Sequence, residues 1–238
     1  TNRYVRDGFV TSRALVEPQD LAGGTLVITV IEGRLQGIAS TAGAQRYGRR
    51  ELAFAFPRGR DGLLNLRALE QGTDQLARMG KADPRLDITP GDGPGTSLVL
   101  VRRERLARWL RPSLSFDNDG AAITGRWQAV AGLELDSLLG LAASWSFYYQ
   151  HSAAPGPLRG TQAYGAFVSV PHGWWLLSLS AGMSHYRSVL AGGGLGFVTR
   201  GQTWNASASL ERLMHRDAWT KLSASAGIAL IDTRNFIQ

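Results

Sequence analysis

The chain has 238 residues, of which 44% are apolar and none is cysteine, and its 26 Lys+Arg against 19 Asp+Glu give a formal charge of +7. The missing thiols exclude disulfides, thiolate metal sites and a cysteine nucleophile. The basic excess is scattered, with nothing longer than pairs such as Arg49-Arg50 and Arg102-Arg103, which argues against the concentrated stripe of a nucleic-acid binder. No apolar run reaches the ~18 residues of a membrane-spanning helix, so a membrane location would require strands. No charged-then-apolar leader opens the sequence, and any signal peptide is expected to have been removed or to lie outside it.

Phe9 to Val16 is rich in β-formers and stops before Pro18, Ala22-Gly23-Gly24 supplies a turn, and Thr25 to Ile31 reads as a second strand. Leu35 to Ser40 follows as a strand, then a short helix near Glu51 to Phe56. The one strongly periodic helix spans Leu63 to Gly80: Leu66, Leu69, Thr73 and Leu76 form a mainly apolar stripe with Ala77 beside it, Glu70 narrows the stripe toward solvent, and Gly80 is a suitable terminator. Gly72 inside this helix costs about 1 kcal/mol against alanine. Strands at Arg85 to Thr89 and Thr96 to Arg102, around a Pro/Gly-rich turn, complete a β-α-α-β-β order.

Composition changes near residue 105, since all seven tryptophans lie at Trp109 or later. From there the pattern has period two. Leu110, Pro112, Leu114 and Phe116 alternate with Arg111, Ser113, Ser115 and Asp117; after a tight turn at Asn118-Asp119-Gly120, Ile123 to Leu135 alternate with Thr124, Arg126, Gln128, Gly132, Glu134 and Asp136. Leu141 to Gln150, Gln162 to Val170, Trp175 to Tyr186, Thr203 to Arg212 and Thr220 to Asp232 continue it. These are about seven segments, each near the ~9–11 residues of a tilted membrane strand, with aromatics near their ends as an interfacial girdle would have. A soluble antiparallel sandwich or lipocalin-like barrel is the alternative.

The stretch Gly8 to Ile38, the helix Leu64 to Leu76, the segment Ser113 to Asn118 with Thr124-Gly125-Arg126, and the runs Leu213 to Asp217 and Asp232 to Ile237 together resemble POTRA-bearing outer-membrane transporters. The finer likeness is to the two-partner secretion branch, in particular transporters of filamentous-haemagglutinin-like adhesins. The resemblance implies α+β POTRA modules followed by an antiparallel transmembrane β-barrel: residues 1–34 as the closing half of a first POTRA, 35–105 as a second, and 106–238 as the N-terminal part of the barrel. It further implies a 16-stranded pore in the Gram-negative outer membrane, POTRA modules in the periplasm, and export of an unfolded exoprotein, of adhesin or haemolysin type, recognised by its N-terminal secretion domain without ATP. The VRGY-type loop motif and DxxG-type strand motif of such barrels are not found here, so the chain is expected to be a fragment. Outer-membrane lipid is the other expected partner, nucleic acid is not one, and a monomer is expected.

Neither catalytic, cofactor nor metal sites stand out. His151, His172, His185 and His215 lack metal spacing, Asp117 and Asp119 sit at a glycine turn, and Gly192 to Gly196 lacks the Lys-Ser/Thr of a phosphate loop and reads as a flexible loop or a junction over missing residues. In a POTRA the strand after the second helix is the sheet edge. This makes Phe9, Thr11, Arg13 and Leu15, and Arg85, Asp87 and Thr89, candidates for pairing with a client by β-augmentation, or edges blunted by their charges. Arg111, Ser113, Ser115, Asp117, Arg126, Gln128 and Glu134 would line a wet lumen. A secretion pore, a barrel-assembly factor of the same superfamily and a passive porin remain as readings.

Overall fold

Three sheets partition the chain. The computed structural model describes residues 2–41, 47–57, 62–80, 83–103, 109–153, 159–192 and 195–237. A first unit consists of α1 (Asn2–Arg6) and a two-stranded antiparallel sheet of β1 (Arg13–Leu15) and β2 (Thr29–Ile31). Both strands are shorter than the sequence suggests. Residues 7–12 instead turn back on α1, with Phe9 N–H donating to Tyr4 O and Ser12 N–H to Phe9 O, so Phe9 and Thr11 lie outside β1. Val27 likewise leaves the ladder, because the Gln19 amide takes the role of a neighbouring strand: Val27 N–H donates to Gln19 Oε1 at 2.7 Å and Gln19 Nε2 donates to Val27 O at 2.9 Å.

The second unit has the anticipated order: β3 (Arg34–Ser40), α2 (Arg49–Ala55), α3 (Leu66–Ala77), β4 (Pro84–Pro90) and β5 (Thr96–Arg103). β5 is central, parallel to β3 and antiparallel to β4. The helices cover one face, where Leu52, Phe56, Leu64, Leu69, Leu76, Met79, Val99 and Val101 form the core. Asn65 caps α3, its Oδ1 accepting from Arg67 N–H at 2.8 Å and Ala68 N–H at 3.3 Å, while its Nδ2 donates to Asp7 O at 3.2 Å. With Leu66 N–H on Gly8 O at 2.8 Å, the same residue that starts α3 also fixes the first unit against it.

The third sheet is antiparallel and seven-stranded, in sequential order from β6 (Leu110–Asp117) through β7 (Gln128–Asp136), β8 (Ser144–Ser152), β9 (Gly160–His172), β10 (Trp175–Gly192) and β11 (Leu195–Arg216) to β12 (Lys221–Ile237). Such a meander follows from the short connections and the period-two pattern. β7 begins later than expected because residues 118–127 close on themselves: Gly120 N–H donates to Arg126 O, Gly125 N–H to Ala121 O, and the Gln128 amide to Gly125 O. Arg126 therefore sits in that connection and not on a strand. The glycine run straddles the β10–β11 hairpin, where Gly192 pairs with Leu195; residues 193–194 lie outside the described ones.

Gly72 has a packing reason that periodicity did not show. A methyl group there would overlap the Phe56 ring, so α2 and α3 cross only with glycine at this position. Gly72→Ala is expected to destabilise the second unit by about 1–3 kcal/mol through overpacking, despite alanine's better helix propensity. Thermal unfolding of the two forms measures this; an unchanged or raised Tm would count against the close crossing.

Candidate functional site at the barrel mouth

The second unit sits on one end of the seven-stranded sheet, against three of its turns. The β7–β8 turn inserts Ala142, 1% exposed, into the helical unit's own core. At the β9–β10 turn, Gly173 N–H donates to Phe54 O at 2.8 Å, Gln75 Nε2 donates to Gly173 O at 3.3 Å, and the His172 ring meets the edge of Phe54 at 5.3 Å. Gly173 has φ +58° and lies close to Pro57, so both the turn and the close approach require glycine.

The β11–β12 turn supplies the charges. Glu70, Gln71, Asp74 and Gln75 share one face of α3 by their i, i+1, i+4, i+5 spacing. The Arg216 guanidinium reaches three of them: Nε to Glu70 Oε2 at 3.1 Å, Nη1 to Gln71 Oε1 at 3.2 Å and to Asp74 Oδ2 at 2.6 Å. Lys221 Nζ adds a bond to Asp74 Oδ2 at 3.0 Å, and Arg67 Nη1 one to Glu70 Oε1 at 2.8 Å. Glu70 thus meets a barrel cation and not open solvent. Arg216 is only 15% exposed, which raises the strength of these bonds above that of a surface pair. The turn itself is held by Asp217, whose Oδ1 accepts from Trp219 N–H and Thr220 N–H, both at 2.7 Å. Those backbone donors, with His215, hold the Asp217 carboxyl down at about 2.

Arg216 reaches α3 because of a β-bulge. Leu213 pairs with Ser223, but His215 pairs with Leu222 and Arg216 with Lys221. The extra residue, Met214, moves Arg216 from the apolar row of Arg212 to the opposite face.

Cross-strand partners share a face, so the register sorts every side chain of the sheet. One face carries Arg111, Ser113, Ser115 and Asp117 of β6 with Gln128 and Glu134 of β7, then Ser146, Ser180, Ser207 and Ser209 farther along. Val130, Phe167, Leu176, Leu213, Ile231 and Ile237 are among its apolar exceptions. The other face carries Leu114, Phe116, Leu133, Trp145, Val168, Leu179 and Ile228, and Leu114 (81%) and Ile228 (65%) are among the most exposed apolar side chains in the chain. Within the polar face Arg111 binds Glu134 at 3.0 Å and also Asp136, next to Gly80 at the end of the second unit. Gln128 is buried and braces the 118–127 connection through Gly125 O and Ser152 Oγ. Asp117 accepts from Asp119 N–H at 3.1 Å, a turn contact.

Of the edge residues, Arg85, Asp87 and Thr89 lie on β4, which pairs only with β5. Asp87 pairs with Arg102, and Thr89 Oγ1 donates to Leu98 O at 3.1 Å. Arg13 and Leu15 are exposed on β1, whereas Phe9 and Thr11 are half-buried in the preceding turn. Among the described residues no group of His, Asp or Glu is arranged to hold a metal. The docking face was missed by the sequence reading; its one signal was a pair of acids and a pair of glutamines, each at i, i+4, on a helix otherwise read for its leucines.

The docking is therefore expected to be electrostatic. Burial raises the Asp74 carboxyl, but hydrogen bonds from Arg216 and Lys221 outweigh it and hold the group below the usual carboxylate range. A depressed carboxylate stabilises the bound form above its unbound pKa of about 4 and loses that contribution as pH falls further. Distances between probes on α3 and on the β11–β12 turn should lengthen or broaden below about pH 4. The same loosening is expected near 1 M salt, where the screening length falls to about 3 Å. Distances insensitive to both would leave the uncharged contacts of the β7–β8 and β9–β10 turns, at Ala142 and Gly173, as the anchors.

The family described as haemolysin secretion/activation protein ShlB/FhaC/HecB matches residues 95–238; a ShlB-type POTRA domain matches residues 1–33 and a POTRA domain residues 34–90. The outer membrane transporter CdiB of Dickeya dadantii (strain 3937) is 34% identical over 228 residues, covering 93% of this chain and 39% of its own length. The hemolysin transporter protein ShlB of Serratia marcescens is 33% identical over 189 residues, 79% of this chain and 32% of its own. The solved structure of CdiB from Escherichia coli superposes with a TM-score of 0.91 at 32% identity, over 100% of this chain and 44% of that one. The chain thus spans about two fifths of the length of the curated relatives it matches. These relatives are transporters, not enzymes, and place the seven-stranded sheet in the outer membrane with the POTRA units on the periplasmic side. POTRA units, a membrane sheet with one polar and one apolar face, and sequence matches along the chain together show that it belongs to the ShlB/FhaC/HecB family of secretion proteins.

Proposed function

We propose that the protein containing this chain is an outer-membrane pore of two-partner secretion, which recognises the secretion domain of a large exoprotein through its POTRA units and passes it outward, unfolded and without ATP. The observation that supports this best is the docked second unit: α2 and α3 are held against three turns of the sheet, so the unit that bears β4 is carried at that end of the sheet. The polar face lines the lumen on this reading. Its serines and its self-paired Arg111–Glu134–Asp136 cluster offer a passing chain hydroxyls and few unneutralised charges. The apolar face meets lipid. The sheet edges β6 and β12 are paired by further strands of the longer protein, because unpaired backbone in lipid costs several kcal/mol per group.

Client recognition is assigned to the edge of β4, with Arg85, Asp87 and Thr89 on its face, and to Arg13 and Leu15 of β1. The proline at each end of β4, Pro84 and Pro90, limits how far a client strand can extend along it. The segment has no cysteine, so single thiols can be introduced cleanly. Asp87→Cys and Thr89→Cys are expected to crosslink to a cysteine-bearing secretion domain added to the whole protein, and Ser97→Cys on central β5 not to. Equal labelling of all three positions, or none, would remove β4 as the recognition edge. Loss of the exoprotein from the medium on deleting the gene, with other outer-membrane proteins intact, tests the dedicated pore itself.

A further inference from the structure

The polar face is built mainly of serine, glycine, threonine and asparagine, yet it exposes aromatic rings, and three of them follow one repeated step. Trp109 is in register with Asp136, its carbonyl accepting from Asp136 N–H. Asp136 pairs with Ser144 on β8, and Tyr148 stands four residues beyond Ser144. Tyr148 shares a row with Gly165 and Gly182, and Tyr186 stands four residues beyond Gly182 on β10. Each step therefore moves two strands across and four residues away from the periplasmic end. The rings are 66%, 47% and 38% exposed in that order.

Strand spacing and rise turn this step into a direction. Two strands are about 10 Å across and four residues about 14 Å along, so each step is about 17 Å long and inclined about 35° to the strands. That inclination matches the ~35–45° tilt of strands in membrane barrels. Its sense is set by the periplasmic ends: Ser144 shares a row with Ser178, and β10 begins three residues earlier, at Trp175. The ends fall back across the strands while the aromatic steps advance. The three rings thus stand in one line along the barrel axis, starting at the mouth near Arg111 and Gly80. Phe167, the direct partner of Ser146, flanks the middle ring as the diagonal neighbour of Tyr148.

The line leaves the passage open. Tyr148 lies over Gly165 and Tyr186 over Gly201, where a methyl group would overlap either ring, and the Tyr186 hydroxyl donates to Asn235 Oδ1 at 3.2 Å. Rings laid on the wall this way offer their faces to the lumen. An aromatic face takes apolar side chains and arginine alike, which suits one wall to many successive segments of an unfolded chain. Extended polypeptide covers ~3.4 Å per residue, so about ten residues reach from Trp109 to Tyr186. We propose that Trp109, Tyr148 and Tyr186 form an aromatic track along which the extended exoprotein moves through the lumen, a reading that rests on the pore proposed above.

The test uses the whole protein in cells, with the photo-crosslinking residue p-benzoylphenylalanine replacing Trp109, Tyr148 or Tyr186 one at a time, so that each position keeps an aromatic ring. The exoprotein whose release depends on the gene is held in transit by a folded domain fused to its C-terminus. Ser209, on the polar face three strands from Tyr148, carries the same residue as the control. Crosslinks to the exoprotein from the three ring positions are expected at least five-fold above those from position 209. Equal crosslinking from position 209 would overturn the track and leave the pore standing. No crosslink from any of the four, with exoprotein still reaching the medium, would overturn both. Crosslinks to another segment of the same protein in place of the exoprotein would also overturn the track. Release is expected to fall at least five-fold in Tyr148→Ser/Tyr186→Ser and to match wild type in Tyr148→Phe/Tyr186→Phe, which keeps both faces; unchanged release in the serine pair would count against the track. Heat-modifiable gel mobility checks the fold, and should the serine pair fail it, Trp109→Ser is read in its place.

Discussion

The guanidinium of Arg216 is the contact on which the arrangement of the two halves depends. It stands on the last residue of β11, only 15% exposed, and meets Glu70, Gln71 and Asp74 on a single face of α3. Truncating one partner of such a pair leaves the others uncompensated, which is why its loss costs more than its presence contributes. The same helix is capped at its start by Asn65, which also bonds Asp7 of the first unit. α3 therefore bonds to the first unit at one end and to the sheet at the other, and Arg67, bonded to Glu70, links the capped end to the charged one.

The second governing constraint is the two-residue period of the strands. Antiparallel registers without slips run from β6 to β11, so alternation alone decides which side chains share the polar face and which share the apolar one. The single break is the bulge at Met214, and it falls where the wall must turn a charge toward the POTRA unit. Glycine serves the polar face in another way: the Tyr148 ring covers Gly165 and the Tyr186 ring covers Gly201 on neighbouring strands, laying aromatic surface flat against the wall.

Much of this was legible in the residues. The β-α-α-β-β order, the seven alternating segments and the sides they present follow from spacing, because burial on one face enforces a strict period. Legibility failed where local bonds outcompete pattern. Phe9 and Thr11 look like strand residues but belong to a turn closed on α1; Arg126 fits the alternation yet sits in a connection that binds itself; Val27 is partnered by a side chain. Glu70 reads as a solvated edge because the sequence does not say which surface will come to face it. The bulge that brings Arg216 there has no signature in a single sequence.

The most direct measurement is a charge reversal across this contact, made in the whole protein and read both as the distance between α3 and the β11–β12 turn and as exoprotein released into the medium. Arg216→Glu should separate the two elements and stop release, and adding Asp74→Arg should restore both. Normal distance and release in Arg216→Glu alone, or failure of the paired reversal to recover either, would contradict the account.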